Sequence, residues 1–126
     1  MEINLEKWQK NAEKNGKEFL YVGHYIDTNG NYMLKIGTTN ELKRRQQEHE
    51  RNYKKAKAHT MPKDGKFEYD FVLPLGKYNT TRYEDKNREN WQKKEIGTFV
   101  RNDRFVCKNK PKSVEITVKK TYKIDL

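Results

Sequence analysis

An α+β fold is what this sequence predicts: a central antiparallel sheet of about three strands, flanked by helices, with an extra β-hairpin at the C-terminal end. Three observations carry that expectation. Strand formers lie on either side of Asn29-Gly30, helical stripes follow residues 38 and 81, and apolar residues alternate with polar ones over 67–75. Helices and antiparallel strands follow one another without the regular strand–helix–strand rhythm of a parallel sheet.

The elements are justified in chain order. Leu5, Trp8 and Ala12 make one stripe, so 4–15 reads as a helix, stopped at Asn15-Gly16. Residues 18–26 are rich in Phe, Tyr, Val and Ile, and 32–37 return after the Asn29-Gly30 turn as the second strand of a hairpin. Thr38 and Glu41 have capping-box spacing, and Leu42, Gln46, His49, Tyr53 and Ala56 line one face of the helix they would start. Residues 58–66, with Pro62 and Gly65, form a loop. Phe67, Tyr69, Phe71, Leu73 and Leu75 make the third strand, and Pro74 implies that its end is at a sheet edge or outside the ladder. A third helix runs from Thr81 to about Glu95, ending at Gly97. Two short strand-like pieces, 104–107 and 114–118, are separated by Lys108-Asn109-Lys110-Pro111-Lys112 and read as the C-terminal hairpin. The chain divides into an N-terminal helix (1–16), a central unit (17–98) and a basic β extension (99–126), together one compact domain.

Composition narrows the function classes. Of 126 residues only 33% are hydrophobic, so eight Tyr, five Phe and two Trp must supply much of the core volume. The formal net charge is +10, which draws a domain this small to polyanions, nucleic acid first. No segment joins a strong apolar face to a basic one, which argues against a membrane surface. Cys107 is the one cysteine, so no internal disulfide is possible and a structural zinc site is not credible. With no signal-peptide pattern and no membrane-spanning run, a reducing intracellular (cytoplasmic) compartment is expected.

The segment 21–49 carries the chemistry. A tyrosine-bearing strand, a tight turn, a strand ending in Lys35-Ile36-Gly37, and a helix with Arg45 and His49 follow in order. Gly37 stands where the strand is expected to turn into the helix, a place suited to a residue without Cβ. At 100° per residue Arg45 borders the buried stripe, whereas Arg44 points outward with Arg51 and Lys55.

This arrangement resembles the GIY-YIG nucleases, in the branch whose second motif reads Lys-Ile-Gly, as in phage and viral domains of this type. The stretch from Lys35 through Thr38-Thr39-Asn40-Glu41-Leu42 to Arg45 carries most of the resemblance, which extends more weakly to about residue 98. The resemblance implies a DNA endonuclease that hydrolyses phosphodiesters with one Mg²⁺ or Mn²⁺ ion. Arg45 would hold a phosphate oxygen, and Lys35 would assist a nearby tyrosine or the phosphate. A tyrosine would act as general base or relay. Tyr21 fits the hairpin better, and Tyr25 keeps the Gly23-His24-Tyr25 spelling. Glu84, on the third helix, would hold the metal, with Glu89 as the substitute. Thr81 and Glu84 also have capping-box spacing, a rival role for the same carboxylate.

His49, one turn after Arg45, can either contact the phosphate or be buried under the sheet. His24 and His59 read as structural or solvated. Lys43, Arg44, Arg51, Lys54 and Lys55 are the candidate DNA contacts, and Lys108, Lys110 and Lys112 could extend the track. Specificity would then come from a homodimer or a protein partner. The alternative is a non-catalytic module on the same fold that binds nucleic acid or protein, as a regulator or inhibitor. An RNA-binding protein outside this family is a third reading, though clustered RNA-stacking aromatics are not apparent.

Overall fold

Asp27 fixes the first hairpin. Its carboxylate takes the backbone N–H groups of Asn29 and Asn31, at 2.9 and 2.8 Å, and Gly30 adopts φ +83°. In the computed structural model of the chain, which describes residues 5–6, 18–76 and 80–126, the loop is 28–30, closed by Asp27 N–H to Asn31 O at 3.1 Å. The expected two-residue turn is thus a three-residue one, with glycine in the left-handed position such loops need. Strand β1 (Glu18–Ile26) pairs with β2 (Tyr32–Thr39) from Phe19 opposite Thr39 to Ile26 opposite Tyr32.

Every strand pairing is antiparallel, but the main sheet has five strands rather than about three. Beyond β1 and β2 it contains β3 (Glu68–Leu75), β4 (Thr98–Val100) and β5 (Arg104–Cys107), in the order β3-β1-β2-β5-β4. β3 is an edge strand, where Pro74 is tolerated. The segment 104–107 does not pair with 114–118. It lies along β2, from Tyr32 opposite Cys107 to Lys35 opposite Arg104. The C-terminal hairpin is instead β6 (Ser113–Thr117) with β7 (Thr121–Asp125), a separate two-stranded sheet.

Alternation along β1 sends its side chains to two cores. Phe19, Tyr21 and Tyr25 meet Met33, Met61, Phe67, Val72 and the inner face of helix α1 (Leu42–Lys54), through Leu42 and Tyr53. Leu20 and Val22 meet Leu34, Ile36, Phe105, Trp91 of helix α2 (Thr80–Lys93), and Val114, Ile116 and Ile124 of the β6–β7 hairpin. Buried Asn87 joins α2 to that hairpin, giving and taking hydrogen bonds with the Thr117 backbone at 2.9 and 2.7 Å.

Several local expectations change. β3 does not keep one face. A bulge at Asp70, where Val22 faces Phe71 and Gly23 faces Tyr69, turns Phe67 and Tyr69 toward α1 but Phe71 and Leu75 toward the other core. Neither capping box forms as expected. β2 continues through Thr39, Glu41 caps α1 without a side-chain bond, and Thr39 Oγ1 takes the Glu41 N–H at 3.0 Å. Of the expected helix over 4–15, only Leu5 and Glu6 are among the described residues. Both are helical; Leu5 packs on the α1-side core and Glu6 pairs with Lys43 at 3.0 Å. No helix among the described residues is long and apolar enough to cross a membrane.

Candidate active site

Gly37 is where the site begins. It lies within β2, opposite Tyr21, and its backbone is not left-handed. A Cβ built there would overlap the Tyr21 phenol. The glycine is needed because a neighbouring ring lies across it, not because a strand turns there. Gly23 plays the same part for Phe67. Two missing side chains on adjacent strands thus let aromatic rings lie flat against the sheet under α1.

The Tyr21 hydroxyl, fully buried, is 2.6 Å from His49 Nε2 and lies beside the guanidinium of Arg45, whose Nη1 pairs with Glu48 at 2.9 Å. With its positive field beside the phenol oxygen, Arg45 favours the arrangement in which Tyr21 donates to a neutral His49 at Nε2 and the imidazole proton sits on Nδ1. The ring of His49 stacks on Tyr53, at 5.1 Å and 6°. Burial, and then the cations Arg45, Lys35 and Arg104, push the His49 pKa down to about 2, so the imidazole is neutral. Burial holds the Tyr21 hydroxyl well above the usual phenol range, against the opposing pull of Arg45.

Lys35 is also buried, and its Nζ donates to Asn102 O at 2.5 Å. Burial lowers its pKa, with Arg45 and Arg104 adding to the effect and Glu84 and Asp103 opposing it. Glu84 does not cap α2. It accepts from Thr38 Oγ1 at 3.2 Å and lies beside the carboxyl of Asp103, which pairs with Arg88 at 3.3 Å. Burial and that second carboxyl raise its pKa. Asp103 reaches it from the β4–β5 loop, where Asn102 and Asp103 have φ of 64° and 57°. Such values are costly for most side chains and best tolerated by Asn and Asp. The loop is tied to β2 by the Lys35 bond and by Ile36 N–H to Asp103 O at 3.2 Å. β5 reaches only as far as Lys35, so beyond it side chains from both faces of β2 can approach around an open edge.

Five of the expected residues thus gather: Arg45 and His49 at the Tyr21 hydroxyl, and Lys35 with Glu84 at the neighbouring β4–β5 loop. Tyr25 lies on the same face but serves another group, donating to His59 O at 3.0 Å and accepting from Arg104. Glu89 is exposed on α2. The outer face of α1 carries Lys43, Arg44, Arg51, Lys54 and Lys55. Arg44 is held by Glu41 at 2.8 Å and by Glu48, while no carboxylate pairs with Arg51, Lys54 or Lys55 among the described residues. Lys108, Lys110 and Lys112 are exposed. His24 is bonded to Asp70 at 2.8 Å and His59 to Asp27 at 3.1 Å, both away from Tyr21. An open cleft of about 300 Å³, lined by Glu18, Thr38, Thr39, Asn40, Arg44, Arg45 and Glu48, leads from solvent to Arg45.

Two site residues escaped sequence reasoning. Arg104 and Asp103 come from a segment whose pairing with β2 has no local signal. Glu84 and Asp103 are the two carboxylates that could hold a divalent cation. No group of three or more His, Cys, Asp or Glu side chains suited to a metal gathers among the described residues. Two adjacent carboxyls that repel one another fit Mg²⁺, which takes few protein oxygens and keeps its waters. No protein-family model matches the chain, and neither a curated protein nor a solved structure matches it.

Proposed function

We propose that this chain is a metal-dependent endonuclease of GIY-YIG type, cutting DNA by hydrolysis. The observation that carries the reading is the buried Tyr21 hydroxyl bonded to His49 Nε2 at 2.6 Å with the Arg45 guanidinium beside it, on the strand pair and helix where the sequence motif calls for a base and a phosphate-binding arginine. In the reaction, water attacks phosphorus, a proton leaves that water through Tyr21 toward His49, and the sugar oxygen departs. The Arg45 fork receives the charge that grows on the phosphoryl oxygens. His49 is a poor base while three cations surround it. An anionic phosphodiester among them would remove part of what depresses it. Lys35 adds a positive charge beside the same oxygens. A divalent ion such as Mg²⁺ or Mn²⁺, held by Glu84 and Asp103, would supply charge stabilisation to the leaving oxygen. Arg51, Lys54 and Lys55 would position the DNA backbone.

A second reading, a binding module on the same fold without catalysis, rests on one observation: Tyr21 and His49 are 0% and 2% exposed, so water must be admitted before either can act. Incubation of the purified chain with supercoiled plasmid, with Mg²⁺ and with EDTA, tests both. Metal-dependent nicking supports the nuclease. Binding without nicking at any Mg²⁺ or Mn²⁺ concentration supports the module.

A further inference from the structure

Arg104 is the least explained charge in the molecule. It is 7% exposed, on β5, directly opposite Lys35 on β2, so two buried cations share one face of the sheet. Directly opposed like charges on paired strands destabilise, and more so out of water. Its contacts are neutral: Nη1 donates to the Tyr25 hydroxyl at 2.5 Å, Nε to Arg101 O at 3.3 Å, and the guanidinium lies 4.7 Å from the centre of the Tyr53 ring. Among the described residues no carboxylate pairs with it, and its Nη2 has no hydrogen-bond partner. Glu84 and Asp103 attend Lys35 instead. A buried arginine without a counter-ion is costly to the free protein, and its unused donors suit a planar oxyanion.

We propose that Arg104 is a second anion-binding guanidinium of this site, which with Lys35 and Arg45 takes a phosphate group. This rests on the phosphodiesterase reading for its natural ligand, the backbone of a nucleic acid, but not for the binding itself. Arg104 lies over the Tyr53 ring, which stacks on His49, the partner of Tyr21, so its guanidinium comes to this group from the β5 side and Arg45 from α1. Tyr25 is then a positioning residue: its hydroxyl, anchored on His59 O, holds the fork from behind.

The experiment compares the full chain with Arg104→Met and Arg104→Lys, in EDTA so that nothing is cut. Thermal midpoints are read without ligand, with inorganic phosphate, and with a short DNA duplex. Methionine fills similar volume, and Tyr25 keeps its bond to His59 O, so free Arg104→Met is expected to melt no lower than wild type. Phosphate and duplex should raise the wild-type midpoint, and affinity for each should fall about tenfold or more in Arg104→Met, with Arg104→Lys between. Failure of Arg104→Met to fold, equal ligand-induced shifts in all three proteins, or no shift in wild type would overturn the proposal. An Arg104-dependent shift in a protein that never nicks plasmid would uphold it and reject the nuclease reading. Nicking with shifts indifferent to Arg104 would do the reverse.

Discussion

The phenol of Tyr21 occupies the space that a side chain on its cross-strand partner Gly37 would fill, and this contact aims the Tyr21 hydroxyl at His49. Gly37→Ala tests its value. The added methyl must displace the ring, so about 1–3 kcal/mol of stability is expected to go, the usual cost of overpacking. Plasmid nicking should fall by about a hundredfold or more, because the hydroxyl leaves its place beside Arg45 and His49. Urea unfolding and a nicking assay check the two parts. Wild-type nicking by a stable Gly37→Ala protein would detach Tyr21 from the reaction.

The neighbouring arginines should separate cleanly. Both pair with Glu48, Arg45 at 2.9 Å, but Arg45 is half-buried beside Tyr21, whereas Arg44 is exposed and also bonds Glu41 on the helix surface. Arg45→Ala is expected to lower nicking about a hundredfold or more with DNA binding largely kept, in the range of losing one positioned donor. Arg44→Ala should stay within about threefold of wild type, since exposed ion pairs contribute little. The opposite ranking, in nicking and gel-shift assays side by side, would mean that the helix face has been misassigned.

Glu84 carries the metal prediction. Because it bonds Thr38 and lies beside Asp103 rather than capping a helix end, Glu84→Gln is expected to leave the thermal midpoint unchanged or higher, by removing a carboxylate from a crowded pair. The same change should weaken Mg²⁺ binding, measured by calorimetry, and stop nicking, with Asp103→Asn acting in the same direction. Thr80→Ala is a control: Thr80 Oγ1 donates to Glu18 at 2.7 Å, so its loss should lower stability by about 1 kcal/mol and spare the metal. Undiminished Mg²⁺ binding in both carboxylate variants would remove the metal from this place.

His49 gives a signature in pH. Its pKa in the folded chain is about 2, below the ordinary unfolded value of about 6.5. The unfolded chain therefore takes up a proton that the folded chain refuses. The stability due to the neutral ring is complete above about pH 6.5 and is lost as pH falls toward about 2, at about 1.4 kcal/mol per pH unit. Between about pH 7.5 and about pH 5 this one group should cost about 2 kcal/mol. His49→Gln should flatten the slope by one proton, in urea titrations across that range. Parallel curves for the two proteins would show that the ring ionises in place.

Residues close in sequence were the legible ones. The hairpin about Asn29-Gly30, the inward phase of Arg45 and His49, and the edge position of Pro74 each follow from periodicity or turn chemistry within a few residues. Gly37 was rightly singled out for the wrong cause, since the ring that excludes its Cβ lies on another strand. The Asp70 bulge was hidden because Phe67, Tyr69 and Phe71 satisfy perfect alternation on paper, whereas packing against Gly23 and Val22 breaks it. Asp103 and Arg104 were out of reach. Their roles depend on β5 pairing with β2 rather than with 114–118, a choice favoured by the burial of Phe105 and Cys107 with Trp91 in a shared core.

That pairing bears on the order of assembly. Lys35 takes its carbonyl partner from Asn102, 67 residues away, and the Arg104 bond to Tyr25 spans 79. The hairpin and α1 can form from local contacts, but closing loops of this length comes late and slowly. During synthesis the face that carries Tyr21 and Lys35 is therefore left half built, with one flank of β2 unpaired, until β5 emerges and docks. An early-folded chain could be compact and helical while still unable to hold a phosphate, so gain of ligand binding, not gain of secondary structure, marks completion of folding.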